Sequence, residues 1–434
     1  MADNTARGST TDEGSGAGTD VEREVYETLA GEPRDSAEAR NGLIHMASLT
    51  LTKLGDGLMD PKLVLAWLLN ALGAPAVFVS ALVPLREAGS LLPQIFLAHR
   101  LNAMRQRRWK WVAGSLGQGA AVAALALAAL MLEGTAAGLA FVAAIVVFAL
   151  SRAAASVSYK EVLGKTVAKT RRGAVTGFAG SASAVGVVIF AGLLMSGWLE
   201  GQGPLVGALI LAAGLWLAAA GLFSTLRENP SDPSDSRDAL RPWQLLREDR
   251  TFARFVVARG FLTATALTPP YFVLLAGQGE DRGLGALGAL VVASAAASFL
   301  SSYAWGRFSD HSSRLVLVAS GAIGATVMGA AIAADLMGLA TTAYLMPALL
   351  FVLMIAHHGV RQGRSTYLVD IAPEDARAAY AATANTLIGG LLLVSGAFGG
   401  ALSFIGPKAA LAGFSAMALI GAIVAYGLEE AETD

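Results

Sequence analysis

The sequence of 434 residues has no cysteine. That excludes disulfides, thiolate metal sites, thiol nucleophiles and lipid attachment through cysteine, and leaves the redox compartment open. Charge is scarce as well. Only 15% of residues are Asp, Glu, Lys or Arg, against about 25% in a soluble domain. The signs nearly cancel, at a formal net charge of −1, so no basic face points to nucleic acid. No Walker loop, zinc signature or catalytic triad is legible, so neither an enzyme nor a metal site is expected. An ATP-driven pump needs a nucleotide domain for which the chain has no room. No cofactor is expected either. The letters Gly283-Leu-Gly285-Ala-Leu-Gly288 fit a dinucleotide fingerprint, but no strand precedes them and no βαβ unit surrounds them. They read instead as small residues for close helix packing, as do Gly389, Gly390, Gly396, Gly399 and Gly400. The first 40 residues lack a basic n-region and an apolar core, so no cleavable signal peptide is expected. They are acidic and rich in Gly, Ser and Thr, and read as a disordered cytoplasmic tail with room for a short helix near Val21–Leu29.

Apolar residues are what the chain has in quantity, 54% by composition with 49 glycines besides, and the mean hydropathy is +0.55. A membrane-spanning helix needs about 20 mostly apolar residues. Twelve such segments are expected, at roughly 41–59, 74–98, 109–132, 136–158, 174–197 and 204–225, then 252–275, 284–304, 314–336, 340–363, 379–403 and 408–427. The apolar residues Pro61–Gly73 read as a bent extension of the first span or an interfacial segment. Between the sixth and seventh spans lies RENPSDPSDSRDALRPWQLLREDR, which is polar, proline-rich and unable to bury enough surface to fold alone. The expected fold is therefore an all-α membrane protein of twelve transmembrane helices in two pseudo-symmetric six-helix bundles. Its parts are a tail over 1–40, a bundle over 41–226, a cytoplasmic linker over 227–250, a bundle over 251–428 and a short cytoplasmic tail over 429–434.

Orientation follows from Lys and Arg in short loops. The loop after span two carries Arg100, Arg105, Arg107, Arg108 and Lys110, and the loop after span four carries Lys160, Lys165, Lys169, Arg171 and Arg172. The loops of the other face hold little beyond Lys62, Arg282 and Lys408. Both termini are thus expected in the cytoplasm, in a bacterial inner membrane. Trp109 and Trp111 are expected at a membrane interface, where an indole has one apolar and one wet side.

The halves look related. Gly306-Arg-Phe-Ser-Asp310-His-Ser-Ser-Arg314 after span eight stands where His99-Arg-Leu-Asn-Ala-Met-Arg-Gln-Arg107 stands after span two. Lys169-Thr-Arg-Arg172-Gly-Ala after span four matches Glu374-Asp-Ala-Arg377-Ala-Ala after span ten. The common offset, about half the chain, indicates a parallel repeat of six helices. On these residues the sequence resembles the major facilitator superfamily, whose signature after spans two and eight is Gly-x-x-x-Asp-Arg/Lys-x-Gly-Arg-Arg/Lys. Gly306, Asp310 and Arg314 match it; His311, Ser313 and Leu315 depart from it, and the first copy keeps only the basic cluster. The resemblance implies a transporter, working as a monomer among membrane lipids, in which two bundles rock around a central cavity lined by spans one, four, seven and ten. It also implies a cytoplasmic gate at Asp310, with the start of span five near Ala174 and Arg361 or Arg364 as partners.

A charge at mid-membrane costs about 2.5–3.5 kcal/mol, so such residues face a cavity or a partner. Lys53 and Asp56 are three apart on one helix face, which suits either a carboxylate of adjustable proton affinity or a static ion pair. Arg86 and Glu87 are adjacent and point about 100° apart, so one is expected to reach a neighbouring helix. Arg152 lies deep in span four and resembles the arginine of proton-driven drug exporters, although span five has no proline where those exporters carry one. Arg259 occupies the repeat-equivalent place of Lys53, ahead of Pro269 and Pro270, which bend or end the helix. His357 and His358 are consecutive, hence expected on different faces, and histidine relays protons near neutrality. Arg361 completes the set of candidates for substrate binding and proton coupling. Gly306, Asp310, Arg314, Arg172, Arg364 and Arg377 are the candidates for the gate. The excess of cations leans toward an anionic or zwitterionic small molecule moved with protons. A receptor or assembly factor on the same scaffold is the competing reading, and an export direction stays open beside import.

Overall fold

The computed structural model describes residues 13–94, 97, 104–230, 242–277, 283–309, 311–340, 342, 344–373 and 376–430, and it is helical throughout. In chain order the helices are α1 (Glu13–Ala30), α2 (Ser36–Leu58), α3 (Val64–Ala71), α4 (Ala76–Leu91), α5 (Arg108–Met131), α6 (Gly134–Thr166), α7 (Arg172–Met195), α8 (Gly203–Ser224) and α9 (Pro242–Glu248). Then follow α10 (Arg250–Leu262), α11 (Ala264–Leu267), α12 (Pro269–Ala276), α13 (Leu284–Ser309), α14 (Ser313–Leu336), α15 (Leu345–Ile371), α16 (Arg377–Ser403) and α17 (Pro407–Tyr426). Among the described residues, nine of these helices are long and apolar enough to cross a membrane. They are α5 to α8 and α13 to α17.

The remaining three expected spans are helical but interrupted or polar, for local reasons. The first is α2 followed by α3. α2 carries Lys53 and Asp56 inside it, and the chain turns at Asp60, whose Oδ1 accepts from the Lys62 backbone N–H at 2.9 Å before α3 resumes. The stretch Pro61–Gly73 is therefore the bent extension. The second, α4, is 16 residues long with Pro84 inside it. The third breaks twice, into α10, α11 and α12. At each break a threonine hydroxyl donates to the preceding turn, Thr263 to the Gly260 carbonyl at 2.6 Å and Thr268 to that of Ala264 at 2.7 Å. Pro269 and Pro270 then open α12, where a missing N–H costs nothing.

Two sets of helices pack around their own cores. α5 lies against α6 and α8, α2 against α7 and α8, and α4 against α6; α14 lies against α15 and α17, α13 against α15, and α10 against α17. The sets meet along two seams, α4 with α16 and α7 with α13. Both seams need small residues. A Cβ on Gly288 would sit 2.8 Å from the Ala191 carbonyl oxygen, and one on Gly396 would sit 2.4 Å from Pro84 Cβ. Of the glycines read from the sequence as packing residues, Gly288, Gly389, Gly396 and Gly400 lie at this boundary, whereas Gly399 packs against Phe414 of its own set.

The end bearing the basic loops is held by buried carboxylates. Glu38, 2% exposed, receives the backbone N–H of Ala168 at 2.7 Å, Arg34 Nε at 2.8 Å and Arg171 Nη1 at 3.3 Å. Burial pushes this carboxyl up, but the Ala168 N–H and Arg34 outweigh that and hold it below its ordinary value. Glu228, 5% exposed, binds Lys165 Nζ and the Arg108 N–H, each at 2.8 Å. The repeat is visible here. Arg172 donates back to the Val167 and Gly164 carbonyls that close α6, and Arg377 donates to the Val369 carbonyl near the end of α15. A cation at a helix C-terminus complements its dipole.

Three expectations change. Residues 13–30 form a helix instead of a disordered tail, and the short helix expected at Val21–Leu29 lies within α1. Its Tyr26 is fully buried against Gly42 of α2, where any Cβ would collide with the ring at 2.1 Å. The last part of the linker is helical, as α9, and its first part buries Glu228. Trp109 is 47% exposed, but Trp111 turns inward and stacks on Phe223 with centroids 4.0 Å apart. Residues 231–241 of the linker, and His99–Ala103 of the stretch His99–Arg107, lie outside the described residues.

Candidate functional site

Asp56, in the last turn of α2 before the break to α3, is the centre of the site. Its carboxylate accepts from Arg152 Nη1 of α6 at 2.8 and 2.6 Å and from Arg86 Nη2 of α4 at 3.1 Å. Arg86 Nη1 also donates to Glu87 at 2.8 Å. The adjacent pair therefore binds to itself, and Arg86 also reaches a neighbouring helix, as expected of one of the two, through its contact with Asp56 of α2. Lys53 does not pair with Asp56. Its Nζ donates to the Thr176 carbonyl of α7 at 3.3 Å.

A cavity of ≈ 260 Å³ opens from Asp56 across the seam between the two helix sets. Its charged and titratable lining is Asp56, Asp60, Lys62 and Arg86 from one set and His357, His358 and Arg361 from the other. The two histidines both line this cavity, with ring centroids 5.8 Å apart. His357 bridges the sets: Lys62 Nζ lies 3.3 Å from its Nε2, and Thr265 of α11 lies 3.3 Å from its Nδ1. An ammonium has no lone pair, so Nε2 accepts and Nδ1–H donates to the threonine. The break at Thr263 is what turns Thr265 toward the ring. Sequence reading treated Lys62 as a loop residue; its signal was a lone lysine inside an apolar stretch.

A second cavity, also ≈ 260 Å³, lies wholly within the first set and shares Asp56. Lys53 and Arg152 line it, together with Trp111, Ser115, Gln118, Tyr159, Lys160 and Trp216.

Other candidates fall elsewhere. Arg259 is 4% exposed and donates to Asn385 Oδ1 at 3.0 Å; it lines neither cavity, so the repeat-equivalent of Lys53 is a packing residue of α10 and α16. Arg314 is bound to Glu430 at 2.8 Å and to the carbonyls of Tyr426 and Leu428, within its own half. Arg172 and Arg377 likewise cap helices of their own halves. Gly306 has open space around it, and Asp310 lies outside the described residues. Arg364 and Arg361 make no hydrogen bond or ion pair with a described residue. No group of three metal-ligating side chains occurs among the described residues.

The fold has solved counterparts. The nucleoside transporter NupG matches with a TM-score of 0.70 at 12% identity, over 90% of this chain and 100% of that one. The POT family transporter PepTSo matches with a TM-score of 0.66 at 11% identity, over 90% and 97%, and a D-xylose-proton symporter with a TM-score of 0.62 at 15% identity, over 90% and 98%. A comparison with curated sequences finds no match. The family model of the Major Facilitator Superfamily matches residues 47–334, more than half of the chain. With its paired helix sets and polar seam, this protein belongs to the major facilitator superfamily.

Proposed function

We propose that the protein is a secondary active transporter that moves a small organic anion or zwitterion by alternating access, coupled to protons. The observation that carries this reading is the cluster around Asp56. Lys62, Arg86 and Arg361 face Asp56 and Asp60 in the seam cavity, and Arg361 has no carboxylate of its own there. A substrate carboxylate entering the seam competes with Asp56 for Arg152 and Arg86. Asp56, once displaced, is free to take a proton, which links substrate occupancy to protonation. A static scaffold gains nothing from an unpaired arginine beside two histidines, because buried charge is costly, and that counts against a receptor or assembly role. The relatives named above include transporters of a nucleoside and of xylose with protons, which supports transport without naming a substrate. The basic loops, with the positive-inside tendency, favour a cytoplasmic placement of both termini in a bacterial inner membrane. Bundles over 41–226 and 251–428 joined at 227–250 fit the two packed helix sets.

The test is a screen of organic anions, zwitterions and cations in proteoliposomes under an imposed pH gradient. A substrate-dependent pH change that Asp56→Asn abolishes is expected. Uptake restricted to lipophilic cations, or full coupling in Asp56→Asn, would overturn the reading.

A further inference from the structure

The cavity inside the first helix set has features that the Asp56 cluster does not use. Three residues that border it each carry a buried polar atom that makes no hydrogen bond with a described residue: Ser115 Oγ, Tyr159 Oη and Trp216 Nε1. Ser115 and Trp216 are completely buried. Leaving one such group unpaired costs about 1–3 kcal/mol, and three on residues that border one space leave polar groups for a ligand with acceptor atoms to satisfy. Trp216 Nε1 is a donor only, so its complement must accept. The cations agree. Lys53 and Lys160 line the cavity and are exposed, so it opens beside them, and Arg152 lines its inner end; the one carboxylate in the wall, Asp56, is already engaged by Arg152 and Arg86. The rest of the wall is aromatic and aliphatic, with Trp111, Tyr159, Trp216, Leu49 and Ala155. The volume of ≈ 260 Å³ exceeds the roughly 150 Å³ of a cavity that takes benzene, which leaves room for a ring and one anionic substituent.

We propose that this side chamber binds a small planar carboxylate, with the ring among Trp111, Tyr159 and Trp216 and the carboxylate on Trp216 Nε1, Tyr159 and the cations. Resting on the transport reading, this names the substrate class: an aromatic or similarly flat monoanion is received in the first helix set, and its carboxylate competes with Asp56 for Arg152 from the chamber side.

The experiment uses the full chain in detergent, with benzoate as the probe and benzyl alcohol, benzylamine and acetate as comparators. Binding is read by calorimetry and by thermal shift. Benzoate is expected to bind and to raise the unfolding temperature, ahead of all three comparators. Tyr159→Phe and Lys160→Gln should each weaken benzoate by about tenfold, equivalent to ~1.4 kcal/mol. Trp216→Phe, which keeps a ring and removes the N–H, should do at least the same, and the two other variants decide the matter if it fails to fold. Lys408→Gln, at an ion pair with Asp335 outside the chamber, should bind benzoate like the parent. No benzoate binding, equal binding of benzyl alcohol, or unchanged affinity in Tyr159→Phe and Lys160→Gln would overturn the proposal, the chamber then holding water only. If benzoate fails while another solute drives pH-coupled flux, the chamber proposal falls and the transport reading stands. If benzoate binds as described and no solute is moved, the transport reading falls alone.

Discussion

Asp56→Asn removes the charge that two guanidiniums share, and its cost can be worked from the geometry. Arg86 keeps Glu87 at 2.8 Å. Arg152 keeps no acidic partner among the described residues, so the loss concentrates on the Asp56–Arg152 contact. Two unit charges 4 Å apart attract by about 4 kcal/mol at an effective dielectric of 20. The side chains are 20% and 35% exposed to the cavities, so solvent screening reduces that to about 2 kcal/mol. The assay is a double-mutant cycle over Asp56→Asn and Arg152→Gln, read by unfolding in a denaturing detergent. Each single variant should be destabilised by about 2 kcal/mol, and the double variant should lose little more than either, with a coupling of about 1–3 kcal/mol. Coupling between Asp56→Asn and Arg86→Gln should be smaller, because Glu87 remains. Single effects that add within about 0.5 kcal/mol would refute the claim that these groups form one unit.

Other outcomes follow from single contacts. Glu38→Gln should cost about 1.5–3 kcal/mol at neutral pH, the scale of a hydrogen bond to a charged group. The Glu38 carboxyl is held low in the folded state, so its contribution is present above the unfolded carboxylate value of about 4.3 and is lost as pH falls through the folded one; unfolding curves of parent and variant should draw together as pH falls from there, and a gap that did not narrow in acid would count against it. Gly42→Ala should expel Tyr26 and release α1, seen as faster hydrogen exchange over residues 20–30 with the long helices unchanged. Gly288→Val should force α7 and α13 apart, shifting the seam toward opening at the end distant from the basic loops; thiol labelling of a cysteine placed at Leu199 should speed up, and equal labelling rates would sink the prediction.

Much of the fold was legible because hydropathy and loop charge are local signals. Nine spans could be read that way. The three segments that needed structure are α2–α3, α4 and α10–α12, which trade apolar length for charge, proline and threonine breaks. The candidate site was legible only by residue type. Asp56 was found, but its partners are 30 and 96 residues away, and no spacing rule links them. Local spacing suggested Lys53 as the partner, and the repeat suggested Arg259 as a cavity residue; tertiary packing sent Lys53 to Thr176 and Arg259 to Asn385. Lys62 was passed over because charge in a short loop reads as a surface anchor, whereas the turn at Asp60 carries it into the seam beside His357.

The claim beneath the whole account is that the two helix sets part at the end where they now touch. Asn70 of α3 and Gly277 after α12 are neighbours there, with a Cβ on Gly277 reaching 3.3 Å from Asn70 Nδ2. The chain has no cysteine of its own, so Asn70→Cys with Gly277→Cys gives one defined pair. Oxidation should link the pair and stop substrate flux in proteoliposomes, and reduction should restore it. Full flux through the oxidised, linked protein would contradict the account.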